Sequence, residues 1–177
     1  MYRKGKTATP LKVETEIPIV IGNTGASRVT GDLVKAVRLR RDRFPETMDV
    51  LIKTAGRLSS NAAEALRKGD MNQLGELMSI NHGLLTAIGV SNEALDKLIC
   101  ASLRAGALGA KLTGAGGGGC MIALSTLDKR KEIAEAIRKA GGMPIMAKKK
   151  APKVNLKRIE KTIAEYQNQR WALLPLL

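Results

Sequence analysis

Aromatic residues are scarce in this chain: one Phe, one Trp and two Tyr, 2% of 177 residues. Tyr2, Tyr166 and Trp171 stand near the termini, which leaves Phe44 alone in the body. Proteins that hold single-stranded nucleic acid stack its bases on aromatic rings, so a stacking platform is excluded. Cysteine is as scarce. Cys100 and Cys120 have neither metal-ligand spacing nor the numbers of a disulfide framework. No apolar run approaches the length of a membrane span. The opening MYRKGKTATP lacks the apolar stretch of a secretory signal. These absences lead to the expectation of a soluble, reduced, cytoplasmic protein without a membrane partner.

Positive charge, by contrast, is abundant. Thirty Lys and Arg stand against 16 Asp and Glu, a formal charge of +14. Apolar residues at 44% exclude wholesale disorder, and the length suits one domain with a real core. The charge is unevenly placed. Residues 1–12 carry four basic groups and no acid, and residues 148–170 carry eight basic groups and two acids. The body from 13 to 147 holds only 18 basic groups against 14 acidic ones, a modest excess that suits an enzyme with anionic substrates. A domain over 1–147 and a basic tail over 148–177 are therefore expected.

Periodicity and punctuation divide the body. Ile17–Ile21 is a β-branched run with strand character, followed by a loop, GNTGASRV. Thr30 is placed to cap a helix reaching about Arg43, with Leu33, Val34, Val37 and Leu39 apolar. Pro45 interrupts it, and a second helix is expected from Glu46 to Lys68, with Met48, Leu51, Ile52, Ala55, Leu58, Ala62 and Leu66 as its inner stripe. Asp70 caps a third helix that stops at Gly89, and Ser91 caps a fourth with Leu95, Leu98, Ile99 and Leu103 inward. Ala110–Thr113 and Cys120–Ser125 have strand character, Asp128–Ala140 is helical, and Met143–Ala147 is one more strand. The expected class is α+β: several helices packed on one face of a small, mostly antiparallel sheet.

The segment KLTGAGGGGCM, residues 111–121, holds five glycines between Gly114 and Gly119. A plain hairpin turns with roughly two to five loop residues and few glycines, and each glycine loses much entropy on ordering. Gly114, Gly116 and Gly119 match the spacing of a dinucleotide fingerprint, but that motif needs a helix after the loop. Here the apolar run Cys120–Leu124 follows, and no Gly-Lys-Ser/Thr of a Walker loop is present. The remaining reading is a backbone that approaches a ligand closely and turns N–H groups toward phosphate or carboxylate oxygens. Thr113 would add a hydroxyl, with Lys111 near by.

KLTGAGGGGC resembles the third signature motif of the GHMP small-molecule kinases, closest to their mevalonate kinase branch. Asn23-Thr24-x-x-x-Arg28-x-Thr30 is similar to the family's N-T-x-x-x-R-x-T segment. Met78-Ser79-Ile80-Asn81-His82-Gly83-Leu84-Leu85, with Ile88-Gly89-Val90-Ser91, resembles its M-N-x-N-Q-x-L-L-x-x-L-G-V-S helix. The resemblance covers about residues 15–147 and implies transfer of the γ-phosphoryl of Mg-ATP to an alcohol such as mevalonate. It places Lys111, Thr113, Gly114, Ala115, Gly116, Gly117, Gly118 and Gly119 against substrate and phosphates, with Arg28 and Thr30 reaching the same cleft. His82 stands where the family usually has Gln, and is expected to be a packed or solvent-facing residue rather than a catalyst. Lys35, Arg38, Arg40, Arg41 and Arg43 are expected to form a solvated helix face.

The resemblance is to the family's C-terminal domain alone. The phosphate loop P-x-x-x-G-L-G-S-S-A, the catalytic Asp, a Lys and the Mg2+-binding acid belong to the N-terminal half and have no counterpart here. Gly56–Ala63 shares a Gly and a Ser-Ser with that loop but falls inside a helical pattern. No catalytic residue is therefore assigned, and ATP and Mg2+ are expected only in a complete two-domain enzyme. The chain is expected to be inactive alone, as a fragment, one half of a split enzyme that meets its N-terminal half in trans, or a recruited domain. In the tail, Leu156, Ile159, Ile163 and Tyr166 recur at helical spacing before the apolar WALLPLL. That pattern reads either as a helix packed on its own domain or as a docking segment for RNA, a ribonucleoprotein or a protein.

Overall fold

Several changes of element follow a proline, a glycine or a capping side chain. The computed structural model describes residues 13, 16–26 and 30–146. Within them lie β1 (Ile19–Asn23), α1 (Thr30–Arg43), α2 (Pro45–Lys68), α3 (Met71–Ile88), α4 (Glu93–Arg104), β2 (Gly109–Leu112), β3 (Cys120–Leu124), α5 (Arg130–Lys139) and β4 (Met143–Met146). Pro45 opens α2, where its missing N–H costs nothing. Gly69 closes α2 in the left-handed region, and the Asp70 carboxylate accepts from the Gln73 N–H at 2.9 Å to start α3. Gly56–Ala63 lies within α2, so its likeness to a nucleotide loop is indeed accidental.

Local details depart from expectation in instructive ways. Asn92, not Ser91, caps α4: its side-chain oxygen accepts from the Leu95 N–H at 3.0 Å. The Ser91 hydroxyl is committed elsewhere, to Asp96. Thr30 is already helical, and α5 begins at Arg130, two residues after Asp128. Leu103, expected inward, is exposed, and so is Leu39 of α1. Ser102 takes the buried place on α4, which it tolerates because its hydroxyl donates to the Leu98 carbonyl of its own helix.

The strands form one sheet in the order β2-β3-β1-β4, and every pair is antiparallel. The path β1, helices, β2, β3, α5, β4 gives the split arrangement of a ferredoxin-like sheet, with α1–α4 filling the first crossover. Val20 lies opposite Ala123, and Met121 opposite both Gly22 and Leu112. This face packs on Leu95, Leu98 and Ile99 of α4 and on Ile133, Ala134 and Ile137 of α5. Full burial of each large aliphatic side chain contributes about 1.5–3 kcal/mol.

The second face carries the row Ile145, Ile21, Ile122, Lys111. At one end of it Leu124 and Ile17 join Ala65, Leu66, Leu74 and Met78 of the α2–α3 pair. There Gly75 of α3 and Gly109 of β2 bring backbone against backbone: a Cβ at Gly75 would run into the Leu108 carbonyl, and one at Gly109 into the Gly75 carbonyl. Among the described residues no helix is long and apolar enough to cross a membrane.

Candidate functional site

The glycine segment is the connection between β2 and β3. The Thr113 N–H donates to the Cys120 carbonyl at 3.0 Å and closes the hairpin below it. Gly114, Gly116, Gly117, Gly118 and Gly119 all take positive φ, from 69° to 136°, a region other residues enter at a cost. It is a hairpin loop, but not a loose one. The Gly117 N–H donates to the Val90 carbonyl at 2.7 Å, and the Gly119 carbonyl accepts from the Thr24 N–H at 2.8 Å. A Cβ at Gly116 would collide with the Val90 carbonyl, and one at Gly117 with the Leu33 side chain. Three elements thus wedge the loop: the α3–α4 turn, the first turn of α1, and the segment after β1.

That last segment is itself ordered by its side chains. Asn23 accepts from the Gly25 N–H at 2.9 Å, and the Thr24 hydroxyl accepts from the Ala26 N–H at 3.2 Å, the two short turns such residues favour. Ala26 lies against Gly118. The structure therefore brings Thr113 and Gly114–Gly119 together with residues 23–26, and with α1, which starts at Thr30 one turn before Leu33. Arg28 lies outside the described residues, as does the tail 148–177. Ala115 stands half-buried inside the loop.

Lys111 lies on β2, just before the loop. Its ammonium donates to the Leu112 carbonyl at 2.8 Å, and burial pushes its pKa down. It sits on the second face of the sheet, close enough to His82 to disfavour a charge there. No carboxylate pairs with it among the described residues.

Beside the loop lies a polar cluster that sequence patterns did not single out. The Asp96 carboxylate accepts from the Ser91 hydroxyl and lies 3.2 Å from His82 Nε2. Burial pushes His82 below the ordinary imidazole range, and Asp96 partly offsets this. The carboxylate stands between hydroxyl and imidazole, so this is not the serine–histidine–acid order of a nucleophilic triad. Of the two places expected for His82, packed or solvent-facing, the structure shows the packed one.

The basic run on α1 divides. Arg40 donates through Nη1 to the Ile88 carbonyl, and Arg41 pairs with Asp49 at 2.6 Å, holding that carboxyl below its usual range. Arg40 thereby leaves the expected solvated face, while Arg41, though paired, keeps its side chain 41% exposed, and Lys35, Arg38 and Arg43 are exposed. Among the described residues no group of three or more His, Cys, Asp or Glu could hold a metal ion. A groove of about 710 Å³ between α4 and α5, lined by Lys97, Cys100, Arg104 and Glu132 among others, shares no residue with the glycine loop.

Comparison with known proteins agrees with this geometry. Residues 62–142 match the family model "GHMP kinases C terminal". Mevalonate kinase of Thermococcus sibiricus is 48% identical over 152 residues, covering 83% of this chain and 45% of the relative. That of Pyrococcus horikoshii is 45% identical, covering 83% and 44%. The crystal structure of L. major mevalonate kinase in complex with R-mevalonate superposes with a TM-score of 0.77 at 30% identity, covering 81% of this chain and 46% of that one. The chain spans less than half the length of these relatives. It belongs to the GHMP kinase family, and what it carries is a mevalonate-kinase-like C-terminal domain.

Proposed function

We propose that this chain is the substrate- and phosphate-closing domain of an ATP-dependent phosphotransferase of mevalonate kinase type, with a mevalonate-like alcohol as acceptor. The observation that carries the reading is the glycine loop: five glycines at positive φ, wedged on three sides, keep a stretch of backbone free of side chains yet fixed in place. Transfer of a phosphoryl group depends on positioning and charge neutralisation more than on covalent chemistry of the protein. ATP, when bound, supplies the γ-phosphoryl and leaves as ADP. The backbone of Gly114–Gly119 and the Thr113 hydroxyl are assigned to substrate and phosphates, and so, by the family resemblance, are Arg28 and Thr30. The Gly117 N–H anchors the loop to Val90 and is not one of the phosphate donors. The nucleotide loop, the Mg2+ ligands and the base that takes the alcohol proton are assigned to the other half of such an enzyme. Fused behind the upstream half of the Thermococcus sibiricus relative, the chain is expected to give mevalonate-dependent ADP release. A folded fusion that releases none overturns the reading.

The placement of charge favours one alternative, a catalytically inactive, kinase-derived binding module. With the excess concentrated at residues 1–12 and 148–170, its basic ends suit RNA, a ribonucleoprotein or a protein partner. RNA binding that weakens steeply with salt, and disappears on deletion of residues 148–177, is the expected result. Salt-insensitive or absent binding removes this role.

A further inference from the structure

The turn Ile88–Asn92 joins α3 to α4, and its Val90 carbonyl is the acceptor that holds the glycine loop. That carbonyl is aimed by a chain of contacts. Gly89 ends α3 at φ +86°, its N–H donating to Thr86, while the Val90 N–H returns to the Leu85 carbonyl at 3.1 Å. This closure satisfies the helix's final turn but leaves the carbonyl of Ile88. Arg40 takes it, reaching from α1 across 48 residues of sequence. A cation there also suits the negative end of the α3 dipole. The guanidinium lies so close over Gly89 that a Cβ at that position would run into it. Downstream, Val90 is 1% exposed, Ser91 is tied to Asp96, and Asn92 caps α4. The turn is thus held on both sides of the one carbonyl that meets Gly117.

We infer that Arg40 is a positioning residue for the glycine loop: by pinning the end of α3 it fixes the Val90 carbonyl, and through it the Gly117 amide. Helix α1 then engages the loop twice, directly through Leu33 and indirectly through Arg40. A phosphate-contacting loop placed in this way loses turnover when the strut is removed, and that consequence rests on the kinase reading above. The placement itself does not.

Amide NMR of the native full chain separates the two. In Arg40→Ala the Gly117 amide proton is expected to move upfield and to lose its through-hydrogen-bond coupling to the Val90 carbonyl, while the core amides of Ala123 and Ile133 keep their wild-type shifts. Arg41→Ala, which breaks only the pair with Asp49, leaves Gly117 unchanged. Should Arg40→Ala fail to fold, Arg40→Lys is measured instead, with the same direction and a smaller shift at Gly117. An unchanged Gly117 overturns the inference, and so does a change shared equally by Ala123 and Ile133, which marks a general loosening of the fold. If Gly117 responds but the wild-type fusion with the upstream half is inactive, the positioning role stands and the kinase reading falls. If the fusion is active and Gly117 does not respond, the reverse holds.

Discussion

At Gly75 and Gly109 the backbones of α3 and β2 lie against each other, and at Gly116 the glycine loop lies against the Val90 carbonyl in a similar way. The first contact joins two regular elements; both glycines are buried and neither has positive φ. The second joins a connection to a helix turn, at φ +84°, with exposed Gly114 two residues away. Missing side chains do different things in the two places. Between α3 and β2 they let the helix pair settle on the sheet, with Leu74 and Leu124 packed beside the contact. In the loop they let the backbone run close against the Val90 carbonyl while Gly114 stays exposed.

The largest effect on stability is expected at the first contact. Gly75→Ala must push apart two elements that are fixed along their whole length, at a cost of about 3 kcal/mol. A thermal scan should show Tm lowered by about 10 °C. If Tm hardly moves, the tight helix–sheet contact is not what positions α3. Next comes Ser91→Ala, which takes away the hydroxyl donated to Asp96 beside the loop and costs about 1 kcal/mol. Denaturant titration checks it, and an unchanged midpoint would show the bridge to be idle.

Smaller effects come from two half-buried titratable groups, Lys111 on the second sheet face and His82 on α3. Burial holds Lys111 below the lysine value of 10.5, so its charge costs the folded chain something at neutral pH. Lys111→Met is expected to raise Tm by about 2 °C; a lowered Tm would mean that the ammonium stabilises the strand through Leu112. His82 is held below the imidazole value of 6.5 by burial, against the pull of Asp96. As pH falls, the unfolded chain therefore takes up this proton first. The contribution of neutral His82 is whole above about pH 6.5 and is lost as pH drops through its folded value. His82→Gln should flatten the pH dependence of stability in that window; an unaltered slope would assign it to another group.

How much of this could be read from the chain alone differs between backbone and partners. Gly69, Gly89, Asp70 and Pro45 mark element ends through their own conformational preferences, so the helices and strands were legible to within a residue or two. The loop was legible because five glycines are hard to explain as a turn. Partner choice was not. Arg40 and Arg38 look alike in a basic run, and only the angular position of each on α1 decides which one reaches Ile88. Ser91 and Asn92 are both good caps, and the nearby Asp96 decides between them. Leu103 and Ser102 exchange the expected inside and outside because a hydroxyl can satisfy itself on its own helix. The Val90 carbonyl has no side-chain signature at all, so the anchor of the site was invisible before the fold was known.

The measurement that bears most directly on the loop is Gly116→Ala in the fusion with the Thermococcus sibiricus upstream half, followed by Tm and by mevalonate-dependent ADP release. Displacing a connection costs far less than separating a helix from a strand, so Tm should fall by only a few degrees, about 3 °C. Displacing the same backbone from substrate and phosphates should lower phosphoryl transfer about a hundredfold. Full activity with a Cβ at Gly116, or a fall in Tm as large as that of Gly75→Ala, would contradict the division between a packing contact and a ligand loop.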